Sequence, residues 1–209
     1  NRELRAVIAR HGLLRRARER GAWAEFAHAY TPHFLARGMS RRRSVTTVMA
    51  ESAGLALKNL DDLRRGEAVY RDFTNRLIVE QGMEAEILTS EEAGRLLGRL
   101  AARRDLLVYE HFHTDHMGHR GTAEDALGAL GELNRFAGAA LGELDPGRDG
   151  FILSSDHGNI EDMSHSAHTA NPVPVLLWGR AAEGWPAGGE EGLTLCEVAP
   201  AVLSLLRMQ

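Results

Sequence analysis

Seven of the ten histidines in the sequence fall between positions 111 and 168. They lie in three short segments: His111-Phe-His113-Thr-Asp115-His116-Met-Gly-His119-Arg-Gly121, Ser155-Asp156-His157-Gly158-Asn159, and His165-Ser-Ala-His168-Thr169. Imidazole nitrogen and carboxylate oxygen in one set is ligand chemistry for Zn²⁺, Mn²⁺ or Fe²⁺, whereas an all-oxygen set suits Mg²⁺ or Ca²⁺. Asp115 and His119 are four positions apart, so one turn of helix or a tight loop can aim both at one ion. Asp156 and His157 are adjacent, and a sharp bend would present both. Gly158 is expected to supply the backbone freedom for that bend. His168 completes a set of Asp, His and His with Asp115 and His119. Two ions roughly 3.5–4 Å apart would match the arrangement used in phosphoryl transfer.

Any one of these histidines alone reads better as a structural residue. The three segments together, each at the edge of an expected strand, read as a metal centre. His111, His113, His116 and His165 are not all required. His111 and His113 alternate along a strand end, where they could support the ligands or touch substrate, but a neutral structural role is favoured.

The elements that must position these residues follow from the apolar pattern. Residues 2–20 have helical spacing (Leu4, Val7, Ile8), interrupted near Gly12 and ending at Gly21. Residues 22–30 read as a strand leaving into a loop at Thr31-Pro32. Residues 37–84 are the least regular part. They hold Arg41-Arg42-Arg43, a helix expected over 45–53 and a polar turn over 59–65, and read as an insertion or small cap within one domain. Thr89-Ser-Glu-Glu92 opens an amphipathic helix (Ala93, Leu96, Leu97, Leu100). A strand at 106–109, a helix at 122–141, strands at 151–154 and 173–178 and a helix at 195–206 follow. This alternation argues for an α/β fold with a mainly parallel sheet flanked by helices. In such sheets, ligands bind outside the carboxyl ends of the strands, where the three segments would meet.

Composition narrows the function classes. The 209 residues are 44% apolar and 26% charged, enough for one domain with a sizeable core. A net charge of −4 with a pI near 6.2 indicates no nucleic-acid or anionic-membrane partner. No apolar run has a membrane span's length, and the first residues lack a signal-peptide core. One cysteine, Cys196, excludes an intramolecular disulfide and suits a reducing cytoplasm. Of the 25 basic residues only Lys58 is lysine, which reads as genome base composition rather than function. Arg41–Arg43 could bind a phosphate through guanidinium forks, but a solvated surface run is the plainer reading.

The motifs Asp-His-x-Gly-His-Arg-Gly (115–121), Ser-Asp-His-Gly-Asn (155–159) and Ala-His-Thr-x-Asn-Pro-Val-Pro (167–174) resemble the metal motifs of the alkaline phosphatase superfamily. They are most similar to its branch of cofactor-independent phosphoglycerate mutases and phosphopentomutases. The resemblance is specific over residues 106–174 and only general over 1–102. It implies one ion on Asp115, His119 and His168 and a second on Asp156 and His157, with Mn²⁺ or Zn²⁺ as the cofactors. It also implies a small phosphorylated substrate and phosphoryl transfer through a Ser or Thr nucleophile. A mutase would return the phosphoryl group to the substrate and a hydrolase would give it to water. A segment as short as 37–84 favours the hydrolase.

The family pattern starts with a strand ending in a metal-binding Asp, then a nucleophilic Ser or Thr at a helix N-terminus. Residues 1–20 do not match it, and Ser44, Thr46 and Thr47 lack the preceding strand. The expectation is a chain that lacks its nucleophile segment, inactive alone and holding its second ion weakly or not at all. Without that strand it would be less stable, or would pair the open edge with another copy as a homo-oligomer. The alternative is a non-catalytic metal-binding or interaction domain that has lost the nucleophile.

Overall fold

A computed structural model describes residues 2–36, 43–185 and 194–206. Arg41 and Arg42 lie outside the described residues. Helix α1 (Arg2–His11) and helix α2 (Leu13–Glu19) are separated at Gly12, and Gly21, at φ +85°, turns the chain out of α2. The chain then enters β1 (Ala24–Phe26), which continues as single bridges from His28 to Val69 and from Ala29 to Lys58. Residues 43–84 hold more helix than their sequence suggests. After α3 (Pro32–Ala36) come α4 (Val45–Ser52), α5 (Leu60–Arg64) and α6 (Arg76–Glu80). The expected polar turn at 59–65 is helix α5. Asn59 caps it by accepting the Asp61 and Asp62 N–H groups, and the Asp62 carboxylate accepts the Asn59 N–H.

The second half follows the expected order. Helix α7 (Ser90–Ala101) starts at the Thr89–Glu92 capping box, β2 (Leu106–Val108) follows, and α8 (His113–Arg120) carries the first histidine segment. Helix α9 (Ala123–Leu141) is capped in the same way by Thr122 and Asp125. Then come β3 (Gly150–Ser154), β4 (Val175–Gly179), α10 (Arg180–Gly184) and α11 (Leu195–Leu205). No described helix is long and apolar enough to cross a membrane.

The sheet corrects the expectation of a mainly parallel arrangement. Among the described residues, β1 and β2 are parallel (Ala24 opposite Leu106), but β3 and β4 form a separate antiparallel pair (Gly150 opposite Gly179). The 155–174 connection contains no helix to carry the chain back across a sheet, so β4 returns beside β3 in the opposite direction.

Three apolar clusters hold the frame. Leu14, Ala17, Phe26 and Leu203 tie α2 and α11 to β1. Phe73, Ala93, Leu97 and Phe136 join α7 and α9 beneath β2. Ala29, Leu60, Tyr70 and Ile78 pack the 60–78 stretch against the end of β1. Gly94 and Gly98 face the Phe136 and Ala140 carbonyls so closely that a Cβ at either would overlap carbonyl oxygen. Backbone contact between α7 and α9 thus fixes the helix that follows α8.

Candidate metal centre

Residues 109–112 link β2 to helix α8, so the apolar Leu106–Val108 strand delivers the first histidine segment to the carboxyl edge of the parallel pair. Asp115 and His119 face the same side one turn apart, with Oδ1 and Nε2 3.3 Å from each other. His168 reaches them from the loop ahead of β4. Its Nε2 is 3.3 Å from Asp115 Oδ1 and 3.1 Å from His119 Nε2. These three residues form a group able to hold a metal ion, with one ligand atom from each all within 4.8 Å.

The turn after β3 brings the other pair alongside. His157 Nε2 is 3.8 Å from Asp115 Oδ1, and its ring stacks on that of His168 with centroids 3.6 Å apart. Asp156 Oδ1 is 3.5 Å from His157 Nε2, while the Asp156 side chain is 85% exposed. All five expected residues therefore meet at the ends of β2 and β3, with Asp156 at the rim.

Asp115 Oδ1 is buried and makes no hydrogen bond, although three Nε2 atoms surround it. His119 Nδ1 donates to the Ser166 carbonyl (2.7 Å), because a carbonyl can only accept. A neutral His119 ring consequently shows a bare Nε2 toward His168, the tautomer a metal requires. An unsatisfied carboxylate oxygen facing imidazole nitrogens fits a bound divalent cation.

Glycines set two close approaches. Gly118 lies between Asp115 and His119, and a Cβ there would overlap the Asn159 carboxamide. The expected role of Gly158 needs correction. It has no positive φ, and its requirement is space, since a Cβ would strike Thr169 Oγ1. Its carbonyl accepts the Thr169 N–H (2.8 Å), which places His168 opposite His157.

The remaining histidines lie in different surroundings. His111 is half-buried with both ring nitrogens shielded from solvent, stacked on Phe73 and beside His113, and desolvation lowers its pKa to about 4. His116 is exposed. His165 is exposed, and its Nδ1 accepts the Ala167 N–H.

Two acidic residues escaped the sequence reading. Glu110 ends the β2 run beside His111 and accepts a hydrogen bond from Thr46 Oγ1, in the first turn of α4. Burial raises its pKa and the Asp156 charge adds to the rise, against the Thr46 bond. Ser44, Thr46, Thr47 and Tyr30 form a chain of hydroxyl contacts leading to this carboxyl. An acidic residue closing the apolar run Leu106-Leu-Val-Tyr109 was the available signal. The second is Glu161, two residues after Asn159. The Thr169 hydroxyl and further hydrogen bonds hold its pKa down at about 2. Arg43, read as part of a solvated run, instead lies over the Phe34 ring with Nη2 3.4 Å from Glu51.

The family model of the Metalloenzyme superfamily matches residues 63–209, which include all five converging residues. The chain belongs to the Metalloenzyme superfamily. Among relatives of this superfamily member are proteins named 2,3-bisphosphoglycerate-independent phosphoglycerate mutase. The one from Dinoroseobacter shibae is 32% identical over 138 residues, covering 60% of this chain and 26% of the relative. That from Agrobacterium fabrum is 32% identical over 133 residues, covering 60% and 26%. That from Roseobacter denitrificans is 29% identical over 165 residues, covering 70% and 31%. The chain thus spans about a quarter to a third of the length of these relatives. No solved structure matches it significantly. The branch resemblance read from the three motifs agrees with these relatives.

Proposed function

We propose that these residues form the metal-binding part of an enzyme that transfers phosphoryl groups on a small phosphorylated substrate, as a phosphomonoester hydrolase or a phosphomutase. The observation carrying this reading is Asp115 Oδ1, buried without a hydrogen bond between the Nε2 atoms of His119 and His168. In this reading Asp115, His119 and His168 hold the first of two divalent ions, Mn²⁺ or Zn²⁺. Asp156 and His157 contribute to the second. Bound there, the ions would supply positive charge for phosphoryl oxygens and lower the pKa of a coordinated hydroxyl. The chain's own residues orient that charge: Ser166 fixes the His119 tautomer, and stacking on His157 fixes the plane of His168.

The remaining ligand of the second ion, on a strand, and the nucleophile, at a helix N-terminus, would come from a segment outside these 209 residues. Among the described residues β2 pairs only with β1 and β3 only with β4, and both β2 and β3 end at the centre. Each pair thus keeps an open edge among the described residues that a further strand could extend. The short coverage of the mutase relatives agrees with this arrangement. Segment 37–84 would act as an insertion on the domain, with its residues Leu60, Tyr70 and Ile78 packed on the end of β1. Its brevity favours a hydrolase, whereas the names of the relatives favour a mutase. The exposed thiol of Cys196 suits a cytoplasmic setting.

A second reading is a non-catalytic metal-binding module. The hydroxyls of Ser44, Thr46 and Thr47 favour it, because all three are engaged with one another or with Glu110. The deciding assay compares this chain with a longer product of its coding region, using a generic phosphomonoester and added Mn²⁺ or Zn²⁺. Activity confined to the longer product supports the enzyme reading with an external nucleophile. Equal activity from both places the nucleophile within residues 1–209. Metal binding without activity in either, across several phosphoesters, supports the module.

A further inference from the structure

Residues 155–174 join β3 to β4 and carry both His157 and His168. The connection has no helix or strand, and the Gly158–Thr169 bridge is its one sheet-type contact among the described residues. The His168 side chain is 48% exposed, so burial alone does not fix its position. Something in the loop must offset the entropy of holding that imidazole beside Asp115.

The Glu161 carboxylate sits where the two halves of this loop cross. One oxygen accepts the Asn159 N–H at 2.6 Å. The other accepts the Thr169 hydroxyl and the Asn171 side-chain amide, the latter at 3.1 Å. Asn171 also donates its backbone N–H to Thr169 Oγ1. One carboxylate thereby links the turn that follows His157 to the residues that follow His168.

We propose that Glu161 is the positioning residue of the centre, a clamp that holds His168 against His157 and beside Asp115 and His119. Its importance for metal binding rests on the metal-centre reading above, but the clamp is a property of the loop and can be tested separately. The role is geometric rather than one of charge. A glutamine could keep the contacts with its amide turned so that the carbonyl accepts from Asn159. Its NH₂ would then face Thr169 Oγ1, which can accept, and the turned Asn171 amide. An alanine keeps none of them.

The test uses the 209-residue chain, with calorimetric titration of Mn²⁺ or Zn²⁺ and hydrogen exchange at the Thr169 amide. Protection along β3 serves as the fold control. Glu161→Ala should abolish Thr169 protection and weaken ion affinity about 10–100-fold, the usual cost of losing a group that orients a ligand. Glu161→Gln should stay close to wild type in both. In a His168→Ala background, Glu161→Ala should add no further loss of affinity, because it acts through His168. Unchanged Thr169 protection in Glu161→Ala overturns the proposal. So does a full additional affinity loss in the His168→Ala background, or failure of Glu161→Gln to restore the contacts. If the wild-type chain binds neither ion while Glu161→Ala still opens the loop, the clamp stands and the metal reading falls.

Discussion

The Nε2 atoms of His119 and His168, 49 positions apart in the chain, lie 3.1 Å from each other. With His119 Nδ1 donating to Ser166, two neutral rings keep this contact only if His168 supplies a proton to it. A divalent cation removes that requirement and also satisfies Asp115 Oδ1. Saturating Mn²⁺ or Zn²⁺ should therefore raise the melting temperature of the metal-free chain. An ion at a hundred times its dissociation constant contributes about 2.7 kcal/mol. His168→Ala should remove most of that gain. His157→Ala should remove less, because the Asp156–His157 pair has fewer ligands in this chain. Thermal melts with and without metal, paired with metal analysis, check both; an unchanged gain in His168→Ala refutes the assignment.

The contact between α7 and α9 makes a stability prediction independent of the site. A Cβ at Gly94 would overlap the Phe136 carbonyl oxygen, and backbone cannot yield as a side-chain tip does. Gly94→Ala should destabilise the fold by about 1–3 kcal/mol or more, although alanine is the better helix former. Gly128→Ala, in the same kind of helix but with open space around its Cα, should be neutral or slightly stabilising. Urea unfolding of the two variants measures the difference.

Two histidines with desolvated rings, His28 and His111, predict acid lability. Burial lowers the pKa of His28 and of His111 to about 4 from an ordinary 6.5. The unfolded chain then binds protons that the folded chain does not. Stability from each should be intact above pH 6.5 and lost as pH falls from 6.5 toward 4, by at most roughly 3 kcal/mol apiece. His28→Phe should flatten this part of the profile, since its ring already lies among Phe26, Tyr30, Tyr70 and Phe112. Melts between pH 4 and pH 7 show whether the slope decreases.

Glu110 gives the opposite sign. Its raised pKa means that the folded chain holds the proton more tightly than the unfolded one. This contribution is present below the ordinary carboxyl pKa and fades as pH rises through the folded value. In metal-free protein Glu110→Gln should be more stable than wild type near pH 8 and indistinguishable near pH 4. An advantage that does not grow with pH would mean that the carboxyl is already well solvated.

Local signals in the sequence were legible because they act within one turn of backbone. The Thr89–Glu92 box starts α7, and Thr122–Asp125 starts α9, by the chemistry their spacing suggests. The Asp115–His119 spacing became one turn of α8 for the same reason. Strand partners were not legible, because pairing β3 with β4 depends on how residues 155–174 fold back. That path is set by bonds from Glu161 to positions 159, 169 and 171. Helix α5 was hidden by its length, five residues in which polar side chains outnumber apolar ones. Glu110 was hidden because its significance comes from Thr46, 64 positions away.

The five converging residues are contributed by two sheets that share no hydrogen-bonded strand among the described residues. Asp115 and His119 follow β2, whereas Asp156, His157 and His168 belong to the connection between β3 and β4. An ion shared across that divide would be a cross-link between two folding units as well as a reagent. Removing it should loosen the cooperativity of unfolding, so that the β3–β4 unit exchanges its amides ahead of the β1–β2 unit. With the ion bound, the two should open together.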